Sequence, residues 1–359
     1  MRFKKLPVAG LALAVGLAAC SDSTGPNDDF DPSESAADFA AVDDAFNTDV
    51  YNSLSAMGEG FGSVTQAPAL AVELVEAGRL SVTSPDTWQQ RGEAIADLLA
   101  SSAAQVILIP ESFRGRTYEY SATAGWYYNA ARTGAPENGI RFILYAIDPV
   151  THEPTDMEIG YADVKDESTD TEAIVRLQVF SGQDEYVNYT VKASGLVGSL
   201  SVEIAGSVTD GTTQVDFTLN HSFEATFASA RAEFDYVIEV PSREFTVDAT
   251  MVIEVDAGTQ SASITVEASF RQGSNTVAIA GTIDSQTDGG TLEVTVNEAP
   301  FATITITRQS ITVTPAEGEL TAAHIQAFQD IAEALHDLFD DAFDNLFNPV
   351  SWLFEFGGV

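Results

Sequence analysis

The sequence predicts a mainly β protein with flanking α-helices: a large antiparallel meander curled into an open or closed barrel, with N- and C-terminal amphipathic helices packed on its apolar face. Three observations predict it. Between residues 113 and 313, apolar and polar residues alternate with period two, as in strands that are buried on one side and wet on the other. The alternating runs are divided by turn sequences such as Asp210-Gly211, Gln272-Gly273-Ser274 and Asp288-Gly289-Gly290, which join neighbouring strands tightly. Towards both ends the apolar spacing changes to three and four, the period of an amphipathic helix.

The chain opens with a basic start, Met1-Arg2-Phe3-Lys4-Lys5, and an apolar run from Leu6 to Leu17. A run of about 12 residues is too short for a hydrocarbon core that needs about 20, and it has the form of a secretory signal peptide over residues 1–19. Leu17-Ala18-Ala19-Cys20 then resembles the lipobox of bacterial lipoproteins. The resemblance implies cleavage between Ala19 and Cys20, and lipidation of Cys20 by acyl chains such as palmitate. Several acyl chains on one N-terminus hold a protein stably at a membrane. In that family Asp directly after the Cys marks inner-membrane retention; Ser21 stands here, which implies a lipid-anchored place in the cell envelope at the outer membrane. Cys20 is the only cysteine, so a disulfide framework and a Cys-based zinc site are excluded.

Residues 20–30, polar and acidic with Gly25-Pro26, read as a flexible tether. A helical segment follows over 31–104. It opens on Asp31-Pro32-Ser33-Glu34, with a capping Asp and a Pro at the first helical position. Phe39, Val42, Phe46, Val50 and Leu54 make its stripe, and Gly58, Gly60 and Gly62 end it. Further helical stretches are expected near 67–77 and 84–102. The meander occupies 105–314 with about 14 strands, too many for an open sheet that does not curl, split or close. Residues 315–359 return to helix: Ile325, Phe328, Ile331, Leu335, Leu338, Phe339, Phe343 and Leu346 form one long stripe, which Asn348-Pro349 stops. Its partner is the apolar face of the sheet, so 31–359 reads as one structural unit.

Composition narrows the function. With 16 Lys+Arg against 54 Asp+Glu, the formal charge is −38, and nucleic acid is excluded as a partner because few cations are available to meet phosphates. Lys165 and Lys192 are the only lysines beyond the signal peptide, as in the acid-rich surfaces of proteins from saline habitats. No G-x-S-x-G, S-x-x-K or H-E-x-x-H string occurs. His152-Glu153-Pro154 lacks a second His, and His324 and His336 stand twelve apart. His221 shares the apolar phase of Phe217, Leu219 and Phe223 and reads as a core or rim histidine. Asp284 to Gly289 reads as a hairpin turn, because the twelfth position of a calcium loop would be Thr295. No catalytic, cofactor or metal residue is assigned.

Ala131 to Val164 resembles segments of uncharacterised lipoproteins from environmental bacteria, a resemblance that brings no known activity. The plan of a curved antiparallel sheet around helices is similar to that of outer-membrane lipoprotein chaperones, in architecture alone. The expected function is therefore non-enzymatic: a structural or interaction role, or carriage of a hydrophobic small molecule, with another envelope protein as a possible partner. The rivals are a carboxylate-dependent hydrolase of polysaccharide and a membrane-spanning β-barrel.

Overall fold

The computed structural model describes residues 32–62, residues 108–316 (149, 152, 171, 197–198, 227, 257, 260, 288 and 308–310 excepted), and Leu346, Pro349 and Val350. The signal peptide, Cys20, the tether, the helices expected near 67–77 and 84–102, and most of the C-terminal stripe lie outside the described residues.

Helix α1 spans Pro32–Phe46 and α2 spans Asp49–Gly62. The sequence stripe predicted one helix here, and the chain breaks it at Asn47-Thr48. Asn47 folds its amide back on Asp43, 2.9 Å from Oδ1 and 3.1 Å from the carbonyl, while Thr48 Oγ1 accepts the N–H of Tyr51 at 3.2 Å. Such side chains compete with the helical ladder and favour ends and caps. At the far end, α2 continues through Gly58 and Gly60 instead of stopping there. It buries Tyr51, Leu54 and Met57, packing that outweighs the weak propensity of glycine.

Fifteen strands form a single sheet. They are β1 (Arg116–Ser121), β2 (Gly125–Tyr128), β3 (Gly139–Ile147), β4 (Pro154–Asp166), β5 (Ala173–Ser181), β6 (Asp184–Leu196), β7 (Ser199–Thr209) and β8 (Gln214–Ala225). There follow β9 (Ser229–Val240), β10 (Phe245–Asp256), β11 (Ser261–Gln272), β12 (Asn275–Asp284), β13 (Gly289–Val296), β14 (Ala299–Thr307) and β15 (Ile311–Pro315). From β3 to β15 each strand pairs antiparallel with the next, the expected meander. Beyond β3 the pattern changes: β1 lies parallel to β3, and β2 is the outer edge. The sheet is not closed, so β2 and β15 are its two edges. Both are short, and Pro315 removes a donor from β15, as is usual for edges that must not recruit another strand.

Alternation puts one row after another on the inner face. Tyr189, Gly206, Phe217, Ile238, Val247, Phe270, Val277 and Val296 are successive partners across eight strands. Gly206 is required in that row: a Cβ there would lie 2.1 Å from the Asn188 carbonyl oxygen and 2.4 Å from Tyr189 Cα. Residues of both helices make contacts with the sheet. Phe39 of α1 meets Phe245 and Phe270 edge-on at 5.2 and 5.5 Å, and Phe46 meets Phe217 at 6.1 Å. Asp38 accepts Arg243 Nε at 2.6 Å and the Gln272 amide. Ser53 of α2 accepts the N–H of Tyr145 in β3 at 3.1 Å. Leu346 and Val350 are buried in the same core, and the Leu346 carbonyl accepts Tyr189 Oη at 2.6 Å.

Candidate functional site

The outward face of β1, β3 and β4 departs from the wet face that alternation predicts. Thr117, Glu119, Ile143, Tyr145 and Asp163 point outward by phase and are nevertheless buried. Their cover is the connection from β2 to β3, residues 129–138, which must pass over β1 because β1 lies between those strands. It is tied down by charge. Glu119 Oε2 accepts Asn129 Nδ2 at 2.7 Å and Tyr127 Oη at 3.1 Å, and Oε1 accepts Arg132 Nε. Arg132 also reaches Glu158 on β4. Beside it, Arg141 holds Asp163 through two bonds of 2.7 and 2.8 Å and stacks its guanidinium 3.8 Å from the Tyr161 ring centre. Where the connection passes Arg141 it turns at Gly134, with φ of +100° and no room for a Cβ beside the guanidinium.

Burial works against ionisation of Glu119, but the hydrogen bonds from Asn129, Arg132 and Tyr127 and the charge of Arg132 outweigh it, leaving its carboxyl below the usual range. Both oxygens are already engaged and the proton is held off. Such a carboxylate makes a clamp, not a general acid. Tyr145, at the base of the cluster, has its phenol pushed up to about 12 by burial and by Glu119 and Glu158. Thr117 Oγ1 is buried there with no hydrogen-bond partner among the described residues.

At the C-terminal end of β4, Asp166 Oδ2 accepts the N–H groups of Leu108 and Ile109 at 3.0 and 3.1 Å and meets Arg114 at 3.2 Å. This anchors the chain as it enters the sheet. A second polar place is a cleft of about 410 Å³ at the turns after β8, β10 and β12. Its Arg231 is paired with Glu254 and Glu233, each at 2.7 Å. Asp256 accepts the N–H groups of Gly258 and Thr259, which hold its carboxyl below the ordinary range. Asp284 likewise accepts Gln286 N–H at 2.5 Å, inside the hairpin turn predicted there. Among the described residues no group of three or more His, Cys, Asp or Glu could hold a metal ion.

His221 stands on the inner face, as its phase predicts. Its Nε2 lies 2.5 Å from Tyr236 Oη, its ring stacks on Tyr236 and abuts Phe234, and burial pushes its pKa down to about 3. Of the residues named for processing and lipidation, Ala19 and Cys20 lie outside the described residues. His152, His324 and His336 do too. Sequence reasoning missed the Glu119 clamp, although one signal pointed to it. Four of the 16 cationic residues, Arg114, Arg116, Arg132 and Arg141, fall within 28 positions of a strongly acidic chain.

No known protein family, curated protein or solved structure matches the chain.

Proposed function

We propose that the protein is a lipid-anchored component of the bacterial cell envelope, at the outer membrane, with a non-enzymatic structural or interaction role. The observation that carries this reading is the order of signals at the N-terminus: basic start, short apolar run, then Leu17-Ala18-Ala19-Cys20. The anchor would sit on Cys20, and the tether of residues 20–30 would hold the sheet off the membrane.

The packed role is favoured over a hollow carrier by what fills the inner face. Phe39 lies between Phe245 and Phe270, and Phe46 between Tyr51 and Phe217. These ring contacts support the flanking helices as cover for the apolar face of the sheet. The open sheet weighs against a spanning barrel, because unpaired edges cannot be satisfied in hydrocarbon. The engaged carboxylates of the cleft and clamp weigh against a hydrolase.

The test is Cys20→Ala. In cells fed a palmitate analogue, the wild type should carry label and sediment with membranes. The variant should keep its signal peptide, lose the label and lose lipid-mediated retention. Equal labelling of both proteins would sink the reading.

A further inference from the structure

We propose that the chain's own residues 317–345 cross the inner face of the sheet from β15 towards β6 and so cover the half-buried row of β10–β15. The inference is independent of the lipid anchor and rests on where the chain leaves the sheet and where it returns.

It leaves at one edge: β15 ends at Pro315, and Ala316 donates its N–H to the Phe301 carbonyl at 2.9 Å. It returns at Leu346, buried on the inner side, where the Leu346 carbonyl accepts Tyr189 Oη of β6. From β15 to β6 is nine strand steps, about 43 Å along the sheet. The thirty residues from Ala316 to Leu346 cover about 45 Å at a helical rise. That length is enough for a crossing of the inner face.

The surface along that path is prepared for it. Met251, Val266, Gly281, Leu292, Ile304 and Val313 are successive cross-strand partners on β10 to β15. They form one apolar row that is only half-buried, with Gly281 as a dip within it. The row next to α1, by contrast, is buried at Phe270, Val277 and Val296. The segment carries the matching stripe, Ile325, Phe328, Ile331, Leu335, Leu338 and Phe339, with Asp330, Glu333, Asp337 and Asp341 between. Residues 63–107, the other long stretch outside the described residues, are poorer candidates. They leave from α2, against β2–β6, and rejoin at Leu108 and Ile109, bonded to Asp166 at the end of β4. Both their ends lie on the β3–β4 side, so nothing requires them to reach β15. An apolar molecule would enter the face of β10–β15 only by displacing residues 317–345.

A photo-cross-linking residue placed at Phe328 or at Leu335 in the processed full chain tests this. Isotope-labelled and unlabelled copies are mixed first, so that links within and between molecules are told apart. Counting from Ala316 at a helical rise, position 328 should link to peptides of β11–β12 and position 335 to β8–β10, in both cases within one molecule. The same group at Glu333, on the polar side, serves as the folding control and should give none of these links. Links confined to outward residues such as Thr282 and Thr291, links to residues 63–107, or links only between labelled and unlabelled copies would overturn the proposal. So would the absence of links from both positions in protein that keeps its wild-type melting temperature.

Discussion

Asp38→Ala isolates the tie between α1 and the sheet. Asp38 is 3% exposed, and its two oxygens accept Arg243 Nε and the Gln272 amide. Deleting the carboxylate leaves both donors without this acceptor. A fully buried pair broken on one side costs about 3–5 kcal/mol, but the Arg243 side chain is 38% exposed and turns partly to water. One screened charge-assisted bond and one amide bond then give a loss of about 2–3 kcal/mol. Asp38→Asn, which keeps an acceptor, should cost about 1 kcal/mol. Urea unfolding, followed by circular dichroism and by tryptophan fluorescence, measures each loss provided the m-value is unchanged. Combined with Arg243→Ala in a double-mutant cycle, the pair should couple by about 1 kcal/mol. Single losses under about 0.5 kcal/mol with no coupling would refute the placement of α1 against β10 and β11.

Three further outcomes follow from other parts of the molecule. His221 is held neutral in the fold while the unfolded chain takes up a proton near pH 6.5, so stability is full above that pH and falls as acid is added. Between pH 7.5 and 5 the loss through this residue should be about 2 kcal/mol, and His221→Phe should remove that part of the pH dependence of the melting temperature. Glu119, depressed in the fold, contributes stability that is present above the ordinary glutamate range and is lost as pH falls through its folded pKa. Glu119→Gln should therefore lower the melting temperature at pH 7 and flatten its acid limb, and an unchanged curve would mean the clamp bears no load. Finally, at −38 the fold repels itself, so melting should occur appreciably higher in about 1 M salt than in about 10 mM; indifference to salt would mean the acids are already neutralised.

The meander was legible because each strand states its own phase. Phe245, Val247, Ala249 and Ile253 are buried on β10 at the positions alternation assigns, and the turns at Asp210-Gly211 and Gln272-Gly273 fall where their residues require. What the sequence could not convey was non-local. Nothing in Arg116–Ser121 says that its partner is parallel, and nothing in Glu119 or Asp163 says that residues 129–138 will cover a face that period two leaves wet. The break at Asn47-Thr48 was visible only as two residues of modest helix propensity inside a good stripe. Cys20 is the opposite case, a motif read wholly from its neighbours in sequence.

Strand order that follows chain order has a kinetic consequence. Each hairpin from β3 to β15 closes a short loop, so pairing can advance strand by strand without waiting for distant partners. The covers of the apolar face obey a different clock. Asp38 must find Arg243 across 205 positions, and Tyr189 must wait for Leu346, 157 positions later. Between those events the part of the apolar face that α1 and α2 do not meet stays open to solvent and to its neighbours. The stage most exposed to aggregation is thus the last one, and a chain truncated after Ala316 would be arrested there, with its strands paired and the half-buried row of β10–β15 uncovered.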